Sequence, residues 1–181
     1  MKRRIEQFTR RLVLALTLLS VASVDLVAQD RTEEYQLKAV LLSRLMNFIT
    51  WPDASEGPSR FCVIGQNPFG NELKTVFAES EIEIEQLGNQ FSFVQDCDAV
   101  FISDSEIRNF ESVLDLLADQ PILTISDMPR FALSGGMINL RFENRRVRFR
   151  INKDEADAAN LQLSFQLLDL ADIVQTRTVR R

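Results

Sequence analysis

The 181-residue sequence contains no histidine, two cysteines, six glycines and five prolines. The missing histidine removes the commonest metal ligand and proton shuttle, and with it every Ser-His or Cys-His nucleophile pair. Two cysteines alone do not complete a structural zinc site unless carboxylates fill in, and Cys62 and Cys97 stand too far apart for a C-x-x-C redox pair. So few glycines leave little room for a phosphate-cradling loop. Gly65 and Gly70 have half of the required pattern, but Asn71 and Glu72 stand where a lysine and a hydroxyl residue would follow. Hydrophobic residues make up 45% of the chain and charged residues 26%, a globular composition that excludes a disordered, fibrous or multi-span membrane protein. The 26 acidic residues keep carboxylate chemistry open. The composition nevertheless points to a binding or regulatory domain rather than an enzyme, and no catalytic, metal-ligating or cofactor-binding residue is assigned.

Residues 1–28 form a separate compositional block. Lys2, Arg3, Arg4, Arg10 and Arg11 precede a 13-residue apolar run, Leu12–Val24, broken only by Thr17, Ser20 and Ser23. This is the pattern of a secretory signal peptide, and the run falls short of the about 20 apolar residues that span a bilayer. The expected organisation is a leader at 1–28, one exported domain at 29–174 and a polar basic tail at 175–181 that should be mobile. Cleavage is expected after Ala28, or nearer Ala22 or Ser23. Without the leader, 16 basic residues face 24 acidic ones, a net charge of about −8. That charge opposes nucleic acid and anionic lipid as partners, and no membrane insertion is expected once the leader is gone. Export also places Cys62 and Cys97 in an oxidising compartment, where a structural disulfide is their expected fate.

Helical and extended periodicities alternate along the exported part. Leu37, Val40, Leu41, Leu45, Phe48 and Ile49 predict an amphipathic helix that starts near Thr32 and ends at Trp51-Pro52. Strands are predicted at 60–65, 81–85, 98–103 and 121–126, with helices at 69–77 and 107–117 between them. Strand, helix, strand at this spacing implies parallel crossovers. Residues 137–142 and 146–151 read as a hairpin turning at Glu143-Asn144-Arg145, and 155–173 as a final helix with Phe165 and Leu170 on its buried face. The fold expected is a single three-layer α/β domain with a mostly parallel sheet, an antiparallel C-terminal hairpin and flanking helices. In it Cys62 and Cys97 fall at one edge of neighbouring strands, where pairing is feasible.

Asp96, Asp98, Asp104 and Glu106 cluster around one strand. Without the spaced oxygen ligands and central glycine of a calcium loop, they read as strand-end and helix-cap acids. The hairpin is more informative, because Ile138, Leu140, Phe142, Val147, Phe149 and Ile151 share one face and Arg141, Arg146, Arg148 and Arg150 the other. In an acidic domain this basic patch is either a docking surface for an acidic partner or anionic ligand, or a face satisfied by solvent or by internal acids such as Glu81, Glu83 and Glu85.

Seven blocks, Glu34–Ala39, Phe48–Pro52, Cys62–Gly70, Cys97–Ile102, Ile122–Asp127, Gly135–Ile138 and Val147–Asn152, occur in the order and spacing of a known family. The chain resembles the YfiR/HmsC-like periplasmic proteins over nearly all of residues 33–174. It departs from them at Ser43-Arg44, where Tyr-Asn is frequent, and at Asn160, where glycine is usual. The resemblance implies a compact α/β domain, often a homodimer, that represses a membrane-bound diguanylate cyclase by binding that enzyme's periplasmic part. Arg141, Arg148, Arg150 and Arg44 are the residues expected to meet the partner. Two other classes stay open. One is a small-molecule sensing module feeding a receptor kinase, which would show a pocket lined by Trp51 and arginines. The other is a carboxylate hydrolase, which would show two carboxyls facing each other across an open cleft.

Overall fold

The computed structural model describes residues 31–52 and 58–176. The leader, and residues 177–181 of the expected tail, lie outside them. Among the described residues helix α1 covers 31–45 and is followed by a single 3-10 turn, Met46–Phe48, and the two-residue strand β1, Ile49–Thr50. The core alternation is β2 (Arg60–Ile64), α2 (Glu72–Val76), β3 (Glu83–Gly88), β4 (Ala99–Ile102), α3 (Phe110–Leu117) and β5 (Leu123–Ser126). The hairpin β6 (Ile138–Glu143) and β7 (Arg146–Asn152) comes next, then α4 (Lys153–Ala158), β8 (Gln162–Leu163), α5 (Phe165–Asp169) and β9 (Ala171–Val174).

Seven strands form one sheet in the order β3-β2-β4-β5-β6-β7-β9, and β1 pairs with β8 in a small antiparallel ribbon. β3 to β6 run parallel, β7 is antiparallel to β6, and β9 is parallel to β7. The central strands are apolar on both faces, as a sheet covered on both sides requires. Phe61, Val63, Ala99, Phe101, Leu123 and Ile125 join α1 in one core. Cys62, Ile64, Val100 and Ile102 join Val113 and Leu117 of α3 in the other. The domain is therefore three-layered and mostly parallel, with the hairpin as its antiparallel part, as the sequence predicts.

The predicted elements shift in four places, each for an identifiable reason. In α1 the buried face is Lys38, Ala39, Leu42 and Leu45, whereas Leu37 and Val40 are exposed. That face continues into buried Met46 and Ile49, and Lys38 joins it through its ion pair with Asp127. β3 begins at Glu83 rather than Glu81, because Glu83 is the residue in register with Arg60. α3 starts three residues late, after a 3-10 turn at Asp104–Glu106, leaving Ile107 exposed. The predicted final helix is four short elements instead. Asn160 takes a left-handed conformation (φ 58°), and Leu161 N donates to Ala156 O at 2.9 Å, which closes α4. Ser164 then caps α5, its side chain accepting from Leu167 N. Phe165 and Leu170, expected inside, are 74% and 72% exposed.

The hairpin turn places both Asn144 (φ 51°) and Arg145 (φ 58°) in the left-handed region, the geometry that matches strand twist in a two-residue loop. Cys62 and Cys97 form a disulfide with a Cα–Cα distance of 6.0 Å, both residues buried in the α3-side core. It closes a 35-residue separation, which in the chain-entropy model stabilises by about 4 kcal/mol. Replacing both cysteines by alanine is expected to lower the urea-unfolding free energy by about 2–4 kcal/mol. An unchanged urea midpoint would show that the bridge constrains little.

Candidate functional site

The hairpin register sets the basic face. Arg141 lies directly opposite Arg148, Asn139 opposite Arg150 and Glu143 opposite Arg146. Like charges facing each other across strands repel, so Arg141 needs acids, and it finds Glu143 on its own strand and Asp172 of β9 at 3.5 Å. Exposed Arg148 has no ion pair among the described residues. Glu81, Glu83 and Glu85 cannot be its counterparts, since β3 is the opposite edge of the sheet and Glu85 instead faces Arg60 at 3.6 Å. Arg44 stands exposed near the end of α1, a different element from the hairpin. The structure thus brings together Arg141, Arg148 and Arg150 on one sheet face.

A second charged group lies at the carboxyl end of β5 and is absent from the sequence-based expectations. Lys38 is 2% exposed, and its Nζ bonds Asp127 Oδ2 at 2.5 Å and also Glu34. Tyr35 Oη donates to the same Asp127 oxygen at 2.8 Å, and Lys38 Nζ sits 4.4 Å from the Tyr35 ring centroid. Asp127 follows β5, so the cluster ties residues 34–38 of α1 to the end of a central strand. Lys38 shares a helical stripe with Leu42 and Leu45, at offsets of four and seven, and Glu34 precedes it by one turn. That spacing was the available sign of a buried, paired lysine.

The other predicted features resolve into structural roles. Asp98 Oδ2 accepts from Ser59 N (2.7 Å) and Arg60 N (2.9 Å), as a strand-end acid. Glu106 is buried, and its Oε2 accepts from Asn109 Nδ2 at 3.0 Å. In the loop after β2, Asn67 Oδ1 accepts from Phe69 N and its Nδ2 donates to Gly70 O, both at 2.9 Å. Gly65 has φ 82°, and a Cβ there would lie 2.3 Å from Ser105 Oγ, so glycine lets the loops after β2 and β4 meet. Trp51 lies in the core with Nε1 donating to Asp98 O at 3.1 Å, which withdraws the indole from the ligand pocket that a sensing module would show. Glu34 and Asp127 both bind the Lys38 ammonium.

The chain belongs to the YfiR/HmsC-like family, whose sequence profile matches residues 35–172. No curated protein matches the sequence. Two solved structures share the fold, each at a TM-score of 0.59. One is a conserved domain protein from Vibrio cholerae O1 biovar El Tor, 11% identical over 77% of this chain and 59% of that one. The other is an ABC domain in complex with L-Trp from Streptococcus pneumonia, 13% identical over 75% of this chain and 60% of that one. The chain thus spans about three fifths of the length of each, and at these identities the likeness is one of fold. Among the described residues no helix is long and apolar enough to cross a membrane.

Tyr35 is the only tyrosine, and its phenol is pushed well above the ordinary value, first by burial and then by the charge and hydrogen bond of Asp127. The unfolded phenol releases its proton near 10, while the folded one keeps it. The stabilisation is therefore whole below about pH 10 and is lost as pH rises beyond it. Absorbance at 295 nm should show no tyrosinate in the folded protein through about pH 11, with the signal appearing together with unfolding. A smooth titration centred near 10 in folded protein would contradict the buried contact.

Proposed function

We propose that this YfiR/HmsC-like protein works in the periplasm as the repressor of a membrane-bound diguanylate cyclase, binding that enzyme's periplasmic part and lowering cyclic di-GMP. The observation that carries the reading is the family match across residues 35–172, nearly the whole described domain. Catalysis then lies in the other chain, and this chain supplies a surface. Arg148 is the residue best suited to it: exposed, set against Arg141 in the sheet and without an acid among the described residues. A guanidinium in that position gains most from a carboxylate that arrives with a partner, because its planar fork binds both carboxylate oxygens. Arg44 marks a second edge of contact on α1, where the sequence departs from its relatives. A homodimer formed through the same hairpin face would compete with the cyclase.

Two measurements test this reading. A variant lacking residues 2–28 should leave cellular cyclic di-GMP at the level of cells without the protein, and full repression by that variant would remove the periplasmic mechanism. Arg148→Glu should weaken the complex with the cyclase's periplasmic part at least tenfold, about 1.4 kcal/mol, with the thermal midpoint unchanged. Unchanged affinity would move the interface to α1 around Ser43, Arg44 and Asn47.

A further inference from the structure

Three buried side-chain polar atoms among the described residues have no hydrogen-bond partner: Asp127 Oδ1, Asn139 Oδ1 and Arg150 Nε. Buried polar groups in folded proteins are nearly always partnered, so each exception requires an explanation. These three share one. Asp127, Asn139 and Arg150 all line the same open cleft of about 460 Å³, between the end of β5 and the hairpin, with Glu34, Arg130 and Arg141 beside them. Two of the three side chains are deeply buried, Asp127 at 7% and Asn139 at 1% exposure. Both are also fixed. Asp127 is held by Lys38 and Tyr35 through its other oxygen, and Asn139 Nδ2 donates to Ser126 O (3.1 Å) and Met128 O (2.9 Å). The unused oxygens therefore cannot turn away to find other partners.

We propose that this cleft is a binding site for a small hydroxylated carboxylate, such as a hydroxy acid or a sugar acid. The complement follows from the three atoms. Glu34, Asp127 and Glu143 also line the cleft, but Arg150 and Arg130 make no ion pair among the described residues, so two guanidiniums there are free to meet a carboxylate. Asp127 Oδ1 and Asn139 Oδ1 require donors, and those donors are better neutral. An ammonium on Asp127 Oδ1 would stand about 5 Å from the Lys38 ammonium on Oδ2, a like-charge approach in a partly desolvated place. A hydroxyl supplies the hydrogen bond without that repulsion. Asn139 and Arg150 are direct cross-strand neighbours, so side chains about 5 Å apart at their bases would hold the hydroxyl and the carboxylate of one small molecule. The inference rests on the cleft alone and stands or falls separately from the cyclase reading.

Titration calorimetry of the purified protein with D-gluconate, D-glucose, L-alanine and acetate tests it. Gluconate should bind saturably with a dissociation constant of 1 mM or tighter, and each of the other three at least tenfold more weakly. Arg150→Met should weaken gluconate binding at least tenfold, whereas Arg148→Glu should leave it unchanged, which separates this site from the partner surface. Should Arg150→Met fail to fold, amide chemical-shift mapping on the unmodified protein decides. Gluconate should then perturb Asp127 to Arg130, Asn139 and Arg150. Absence of saturable gluconate binding, equal binding of alanine or glucose, undiminished binding by Arg150→Met, or perturbations confined to other residues would each overturn the proposal and leave water as the cleft's occupant.

Discussion

A lysine with 2% of its side chain exposed is tolerable only when carboxylates surround it, and Lys38 has two, Glu34 and Asp127. Removing a charge from water costs several kcal/mol, so the ammonium dictates where its neighbours go. With Ala39, Leu42 and Leu45 it sets the buried face of α1, and together with Tyr35, which bonds the same Asp127, it fixes the first helix over the end of β5. Because Lys38 and Tyr35 both use one oxygen of Asp127, the other is left facing the cleft beside the hairpin. The orientation of a helix and the chemistry of a cavity thus follow from the same pair.

The central layers were legible because burial on both faces leaves a plain signature. Phe61 to Ile64 and Ala99 to Ile102 are short, uninterrupted and apolar, and they became neighbouring parallel strands. The hairpin was equally plain, since its alternation places arginines and apolar residues on opposite faces, and the register agrees. In the C-terminal segment apolar density suggests one helix where the chain forms four short elements. Its decisive residues were Asn160, which ends α4 by adopting a positive φ, and Ser164, which starts α5 as a cap. The family's usual glycine at position 160 has the same physical reason, for glycine and asparagine are the residues that tolerate the left-handed region best.

Of the candidate site, the arginines were visible and their partners were not. Position on a face follows from period two, but which acid meets Arg141 depends on strand order, and Asp172 arrives through β9, a strand hidden inside the predicted helix. Glu81, Glu83 and Glu85 looked suitable by composition and lie at the far edge of the sheet. Asn139 gave no sign at all, because a polar residue on the arginine face of a strand looks like any solvated one until the chain after β5 covers it.

The Cys62–Cys97 bridge also bears on how the sheet is assembled. β2 and β4 pair in parallel although Phe61 and Ala99 are 38 positions apart, so in a reduced chain their pairing must overcome the entropy of closing that loop. Once the bridge exists, the two strands begin their search already joined one residue from the Phe61–Ala99 pair on β2 and two on β4. A long-range contact becomes a local one, and the slowest kind of pairing in a parallel sheet is converted into a short-range event. Oxidation before folding would therefore speed the formation of the central strands as well as stabilise them afterwards.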